Sequence, residues 1–176
     1  MKRILIIALC ALMLLALVGC KGDGAPAGMK LASHPELVPY SLYVPEDWVV
    51  DYSDAQNTKA HVSSVNMSSV LVSQHPKAEG TIDDIDSWWE NYKAELSLEG
   101  TLVLEQGVKG TVDGKASKSY TYSATINDEL TYKYYMTAVE HNGEIIAILY
   151  GAPEGPLFDE TLSVVKDEII ANLKLK

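Results

Sequence analysis

The sequence predicts an α+β fold, an antiparallel β-sheet covered by helices on both faces in an α/β/α sandwich. Three observations carry this. From Thr101 to Ala152 the chain reads as four alternating strands separated by tight-turn residues. The last two of these strands are apolar on both faces, and an antiparallel sheet normally leaves one face wet. Two segments of helical period flank them, one for each face.

The elements follow in order. In "YSLYVPEDWVVDY", Tyr40, Leu42 and Val44 share one face, Pro45-Glu46-Asp47 turns, and Trp48 to Tyr52 reads as a second strand. Ala60 to His75 holds two Val- and Ser-rich strands with a turn near Met67. Ile82, Ile85, Trp89, Tyr92 and Leu96 then fall on one helical stripe, which predicts a helix over residues 82–98. Thr81 is its candidate N-cap, Asp83, Asp84 and Asp86 suit the positive end of its dipole, and Gly100 can close it. Trp89 belongs to the core, and Trp88, at the edge of the stripe, is expected to be partly exposed.

Asp113-Gly114 and Asn142-Gly143 are preferred two-residue hairpin turns. Between them, a three-residue loop, Asn127 to Glu129, pairs Ile126 with Leu130, Tyr122 with Tyr134 and Tyr120 with Met136. That register puts the apolar residues on one face. Pairing across Asn142-Gly143 sets Met136 against Leu149 and Ala138 against Ala147 on one face. On the other it sets Tyr135 against Tyr150 and Val139 against Ile146. A second helix starts near Gly155-Pro156, with Phe158, Leu162, Val165, Ile169 and Leu173 as its stripe.

The start of the chain is read differently. Lys2 and Arg3 precede Ile4 to Val18, a run without charge. It is too short for the roughly 30 Å of a bilayer core, which takes about 20 residues, and it fits an export signal. Leu17-Val18-Gly19-Cys20 resembles the lipobox of bacterial lipoproteins, which implies cleavage before Cys20 and diacylglycerol on its sulfur. Residues 1–19 are then a signal peptide, residues 20–36 the lipidated cysteine and a flexible tether, and residues 37–176 a single domain. The protein is expected on the outer face of a bacterial cytoplasmic membrane, or on the outer membrane of a two-membrane envelope, held there by two acyl chains.

Composition excludes several classes of function. Of the two cysteines, Cys10 leaves with the signal and the Cys20 sulfur is taken by lipid. No thiol remains for a disulfide, a zinc site or a nucleophile. The net charge of −10 becomes −12 without Lys2 and Arg3, a surface that repels nucleic acid. The ten tyrosines against one phenylalanine are first of all β-formers with a polar tip, and secondarily a partner-binding patch.

Several motifs resemble one family. "YSLYVPEDWVV" resembles the aromatic-x-hydrophobic-x-x-Pro-x-x-Trp opening of the PsbP-like superfamily. "VDGKASKSYTYSA" is similar to its hairpin after a Val-Asp-Gly turn, and "YYMTAVEHNGEIIAILYGAP" with a terminal helix resembles its closing strands. The resemblance spans about Leu37 to Leu173, with "ANLKLK" in place of the usual closing Ser-Phe. It implies an antiparallel sheet between helices and a binding or assembly role, with no catalytic residues to carry over.

Reactive motifs are missing from the sequence: there is no Gly-x-Ser-x-Gly elbow and no His-Glu-x-x-His zinc helix. "GTVDGK" is a hairpin turn rather than a phosphate loop. No cofactor is expected. His61 and His75 are equidistant from Ser68, so a turn centred there would bring them face to face as candidate metal ligands. The leading expectation is a non-enzymatic, membrane-anchored protein that binds an envelope partner or helps to assemble a complex. The alternatives are an envelope hydrolase with an unrecognised active site and a small ligand-binding lipoprotein.

Overall fold

The computed structural model describes residues 24–62, 67–96, 100–126 and 130–176. The signal segment, Cys20 and the loop Asn127 to Glu129 lie outside the described residues. The elements are β1 (Met29–Leu31), β2 (Tyr40–Ser41), β3 (Tyr43–Pro45), β4 (Val49–Asp51), β5 (Thr58–His61), β6 (Ser69–Pro76) and α1 (Ile85–Leu96). They continue with β7 (Thr101–Val112), β8 (Lys115–Ile126), β9 (Leu130–His141), β10 (Glu144–Pro153), α2 (Pro156–Val164) and β11 (Lys174–Leu175).

One seven-stranded antiparallel sheet, in the order β4-β5-β6-β10-β9-β8-β7, organises the molecule. Its centre is pinned by turn chemistry. Asp113, Gly114, Asn142 and Gly143 all have positive φ, at 47°, 75°, 51° and 81°, as the two tight hairpins require. The register is the one the apolar alternation predicts. Tyr120 lies opposite Met136 and Tyr122 opposite Tyr134, while Ala138 lies opposite Ala147 and Val139 opposite Ile146.

Because β9 and β10 are apolar on both sides, their side chains divide between two clusters. Val70, Val72, Val139, Ile146 and Ile148 pack with Phe158, Val165 and Ile169 of the C-terminal segment. The alternating residues Tyr120, Met136, Ala138, Ile145 and Ala147 pack with Ile85, Trp88 and Trp89 of α1. Pro156 opens α2 after Gly155, whose φ of 145° suits glycine. Beyond Val164 the helix widens into a π-helical stretch, Val165–Ile170. Phe158, Val165, Ile169 and Leu173 of the expected stripe are fully buried, and Leu162 is partly so.

Four expectations change. Folded structure begins at β1, not near Leu37: Met29 lies opposite Pro45 and is buried. A three-residue strand held by a distant partner has no local pattern of its own. Helix α1 begins at Ile85, capped by Asp84 rather than Thr81. The Asp84 carboxylate accepts from Ser87 N–H at 2.8 Å, and Ser87 Oγ accepts from the Asp84 N–H at 3.0 Å, a reciprocal box. Thr81 Oγ1 instead donates to the Ala78 carbonyl at 3.0 Å. Trp88 is buried, only 2% exposed, because β6 reaches under the helix. Finally, His61 lies opposite Ser69, and Thr58 opposite Val72, so the two histidines do not meet.

The wing of the sheet is less covered. Strand β7 pairs only with β8 among the described residues, and its register shifts between Val103 and Glu105 and again between Glu105 and Val108. Its Leu102, Leu104 and Val108 are 61%, 45% and 53% exposed. Leu102 and Val108 lie opposite Ser123 and Ser119, the polar side of β8, which gives them no apolar floor. At the other margin, β4 has three residues.

Candidate functional site

The register separates the histidines. His61 shares a face with Leu71 and His75, yet its partner Ser69 lies six residues from His75 on β6, about 20 Å along the strand. A shared metal ion is beyond reach of both. Among the described residues no group of three His, Cys, Asp or Glu gathers around a common point.

The sequence did not foresee what His75 does. Its Nε2 lies 2.9 Å from Ser73 Oγ, two residues away on the same face of β6. The His75 ring tilts against Trp88, with centroids 5.2 Å apart, and Trp88 stacks on Tyr92 at 5.3 Å. Burial lowers the His75 pKa below its ordinary value, against a weaker opposing pull from the charge of Glu95, so the neutral imidazole is favoured.

These rings wall a cavity of about 420 Å³ beneath α1. Its floor is Leu71, Met136, Ala147 and Leu149, and its rim carries Asn57, Ser73 and Gln74. The aromatic wall continues across the sheet. The Tyr92 and Tyr122 hydroxyls are 3.1 Å apart, Tyr122 stacks on Tyr134 at 4.9 Å, and Trp89 stacks on Tyr120 at 4.1 Å. Burial raises the Tyr122 pKa far above its ordinary value, with the charge of Tyr92 adding to it, so this hydroxyl stays protonated. Tyr134 lies flat against Gly151: a Cβ built there would meet its Cε1 at 2.7 Å. Much of the tyrosine excess is thus one connected layer under and beside α1.

A second cleft, about 580 Å³, lies between the start of α1 and the β7–β8 hairpin. Its acids are engaged within the chain: Asp86 with Lys118, Glu140 with Lys77 at 2.9 Å, and Asp84 as the helix cap.

The edge of β7 is the other candidate. A long unpaired edge presents free N–H and C=O groups and is a template for an added strand. Here three large apolar side chains accompany them. The sequence gives these residues as ordinary strand alternation, and only the sheet order places them at a margin.

No protein-family model matches the sequence, and no curated protein matches it. Solved structures do share the fold. The Ran-binding protein Mog1p of Saccharomyces cerevisiae matches with a TM-score of 0.60 at 10% identity, over 84% of this chain and 95% of that one. A mutant Mog1 matches with a TM-score of 0.52 at 11% identity, over 81% of this chain and 86% of that one. Cyanobacterial PsbP (CyanoP) from Synechocystis sp. PCC 6803 aligns at 16% identity and a TM-score of 0.49, over 89% of this chain and 97% of that one. At such identities the likeness to the two Mog1 structures is one of fold: a mixed α+β domain with a large antiparallel sheet and few helices.

Proposed function

We propose that this chain is a non-enzymatic envelope lipoprotein that binds a protein partner by adding a strand to β7. The observation that carries the reading is the β7 edge, twelve residues long, with no strand on its outer side among the described residues and dressed with exposed Leu102, Leu104 and Val108. Such patches on a protein surface mark interaction sites. The acidic surface, at −10 over the whole chain, selects a partner segment that is apolar and basic. Mog1p, which has a similar fold, is by name a Ran-binding protein; that is one use of this architecture for protein recognition.

The finer elements of the reading come with it. The domain is PsbP-like, with helices on both faces of its sheet, a description supported by the two clusters that α1 and the C-terminal segment join. Cys20 carries the lipid that holds the domain on the outer face of the cytoplasmic membrane. Among the described residues no helix is long and apolar enough to cross a membrane. Radiolabelled fatty acid should mark the wild-type protein and not Cys20→Ala; label on the variant refutes the anchor.

Lysine-directed crosslinking on whole cells tests the partner. Lys109 lies on β7 and Lys59 on β5, so partner peptides should join Lys109 and not Lys59. They should be lost in the Leu102→Asp/Val108→Asp double variant. Crosslinks that persist in that variant, or that join only Lys59, overturn the proposal.

A hydrolase is the second reading, favoured by the Ser73–His75 hydrogen bond of 2.9 Å in a cavity. It requires that Ser73→Ala abolish hydrolysis of a simple ester such as p-nitrophenyl butyrate. Activity equal in wild type and variant ends it.

A further inference from the structure

The cavity beneath α1 plays no part in strand addition and carries an inference of its own. The geometry points to a binding site for a neutral amphiphile, a small molecule with a hydrocarbon body and one uncharged polar end. Its volume of about 420 Å³ lies within the roughly 300–1,000 Å³ of small-molecule sites. The floor offers Leu71, Met136 and Leu149, and Trp88 and Tyr92 form one wall. Leu71 and Leu149 are only partly buried, so contact with a hydrocarbon body would remove apolar surface from water.

The polar groups of the lining are Asn57, Ser73, Gln74 and His75, and none is charged. Asn57 and Gln74 bring amides, Ser73 a hydroxyl and His75 an imidazole that burial keeps neutral. An anionic head would find no lysine in the lining, would lose hydration without recompense, and would face the charge of Glu95, which acts on His75, and the Asp54 carboxylate that holds the Asn57 amide at 2.7 Å. A cationic head would find no carboxylate in the lining itself. An alcohol or amide end has partners: the Ser73 hydroxyl, engaged with His75, retains further hydrogen-bonding capacity, and the amides, which donate to Asp54 from Asn57 at 2.7 Å and to the Gln56 carbonyl from Gln74 at 2.9 Å, each retain a second N–H and a carbonyl oxygen. The site thus selects on charge as well as on shape.

Photoaffinity labelling of the full chain in its own membranes tests this, with a decanol analogue carrying a diazirine as the probe. Label should fall on the β6 and β10 peptides. Decanol should protect about tenfold better than decanoate. Leu149→Trp, whose indole occupies the cavity, should lower labelling by about tenfold, and Ser73→Ala should weaken protection by decanol severalfold while leaving the volume open. The melting temperature of each variant reports folding, and Ser73→Ala decides the matter if Leu149→Trp does not fold. Label spread without preference for β6 and β10 overturns the site. So does protection by decanoate equal to that by decanol, or variants that fold and behave as wild type.

Discussion

The centre and the wing of the sheet are built from the same alternation and end in opposite states. In β6, β9 and β10, Val70, Val72, Val139, Ile146 and Ile148 are wholly buried. In β7, Leu102, Leu104 and Val108 stand in water. The local pattern of hydrophobic residues is similar in both. The difference lies in what packs above. The C-terminal segment places Phe158, Val165 and Ile169 on the centre, and α1 places its tryptophans on the opposite side. Beside β7, the residues of β8 opposite Leu102, Glu105 and Val108 are Ser123, Thr121 and Ser119, whose hydroxyls offer no apolar layer. Stability is therefore concentrated in the centre, and the wing keeps apolar side chains that folding does not use.

The largest expected effect falls in the centre. Val139→Asp places an unpaired carboxylate in the first cluster and should cost about 4 kcal/mol in urea unfolding. A midpoint equal to wild type means that this face is wet. Trp89→Ala should cost about 3 kcal/mol, since it empties the stack on Tyr120 and loosens α1 from the sheet. A loss below about 1 kcal/mol places the helix outside the cooperative core.

Asp84→Ala should cost about 1 kcal/mol through loss of the α1 cap, and it carries a pH signature. The Ser87 N–H and hydroxyl hold the Asp84 carboxyl below the usual carboxylate range. The folded state therefore binds this proton less readily than the unfolded one. The contribution is present above the ordinary carboxylate pKa and is lost as pH falls through the depressed one. Variant and wild type should differ at neutral pH and converge in strong acid. A gap that persists in acid contradicts the cap. Smallest of all, Leu102→Asp should change stability by less than about 0.5 kcal/mol, because its side chain already stands in water. A loss comparable to Val139→Asp abolishes the distinction between centre and wing.

What the sequence made legible follows the same division. The four long strands, and the register of the last three, could be read because turn residues and a dense tyrosine and aliphatic alternation fix them within a few residues, whereas the two register shifts of β7 on β8 leave no such mark. The His61–His75 pairing failed for a definite reason. The observed register differs from the expected one by an even slip, and an even slip leaves Val70 and Val72 on the same face. Burial pattern cannot choose between such registers. Strand β1 was hidden because its partner, β3, is distant in sequence, and Trp88 was misplaced because the β6 side chains beneath it belong to another segment. The Ser73–His75 contact lay in plain view as two residues of one face, yet only the cavity above it makes it a candidate site. The exposure of Leu102 was illegible for a global reason: sheet order decides which strand is the edge.

Amide hydrogen exchange on β7, read in intact membranes and again on the purified chain, tests strand addition most directly. Alone, the outward N–H groups of β7 should exchange quickly, as those at an unpaired edge do. In membranes, where the partner is present, they should slow by about tenfold or more, while β4 at the opposite margin exchanges alike in both. Equal exchange of β7 in the two preparations, or slowing confined to β4, contradicts the account.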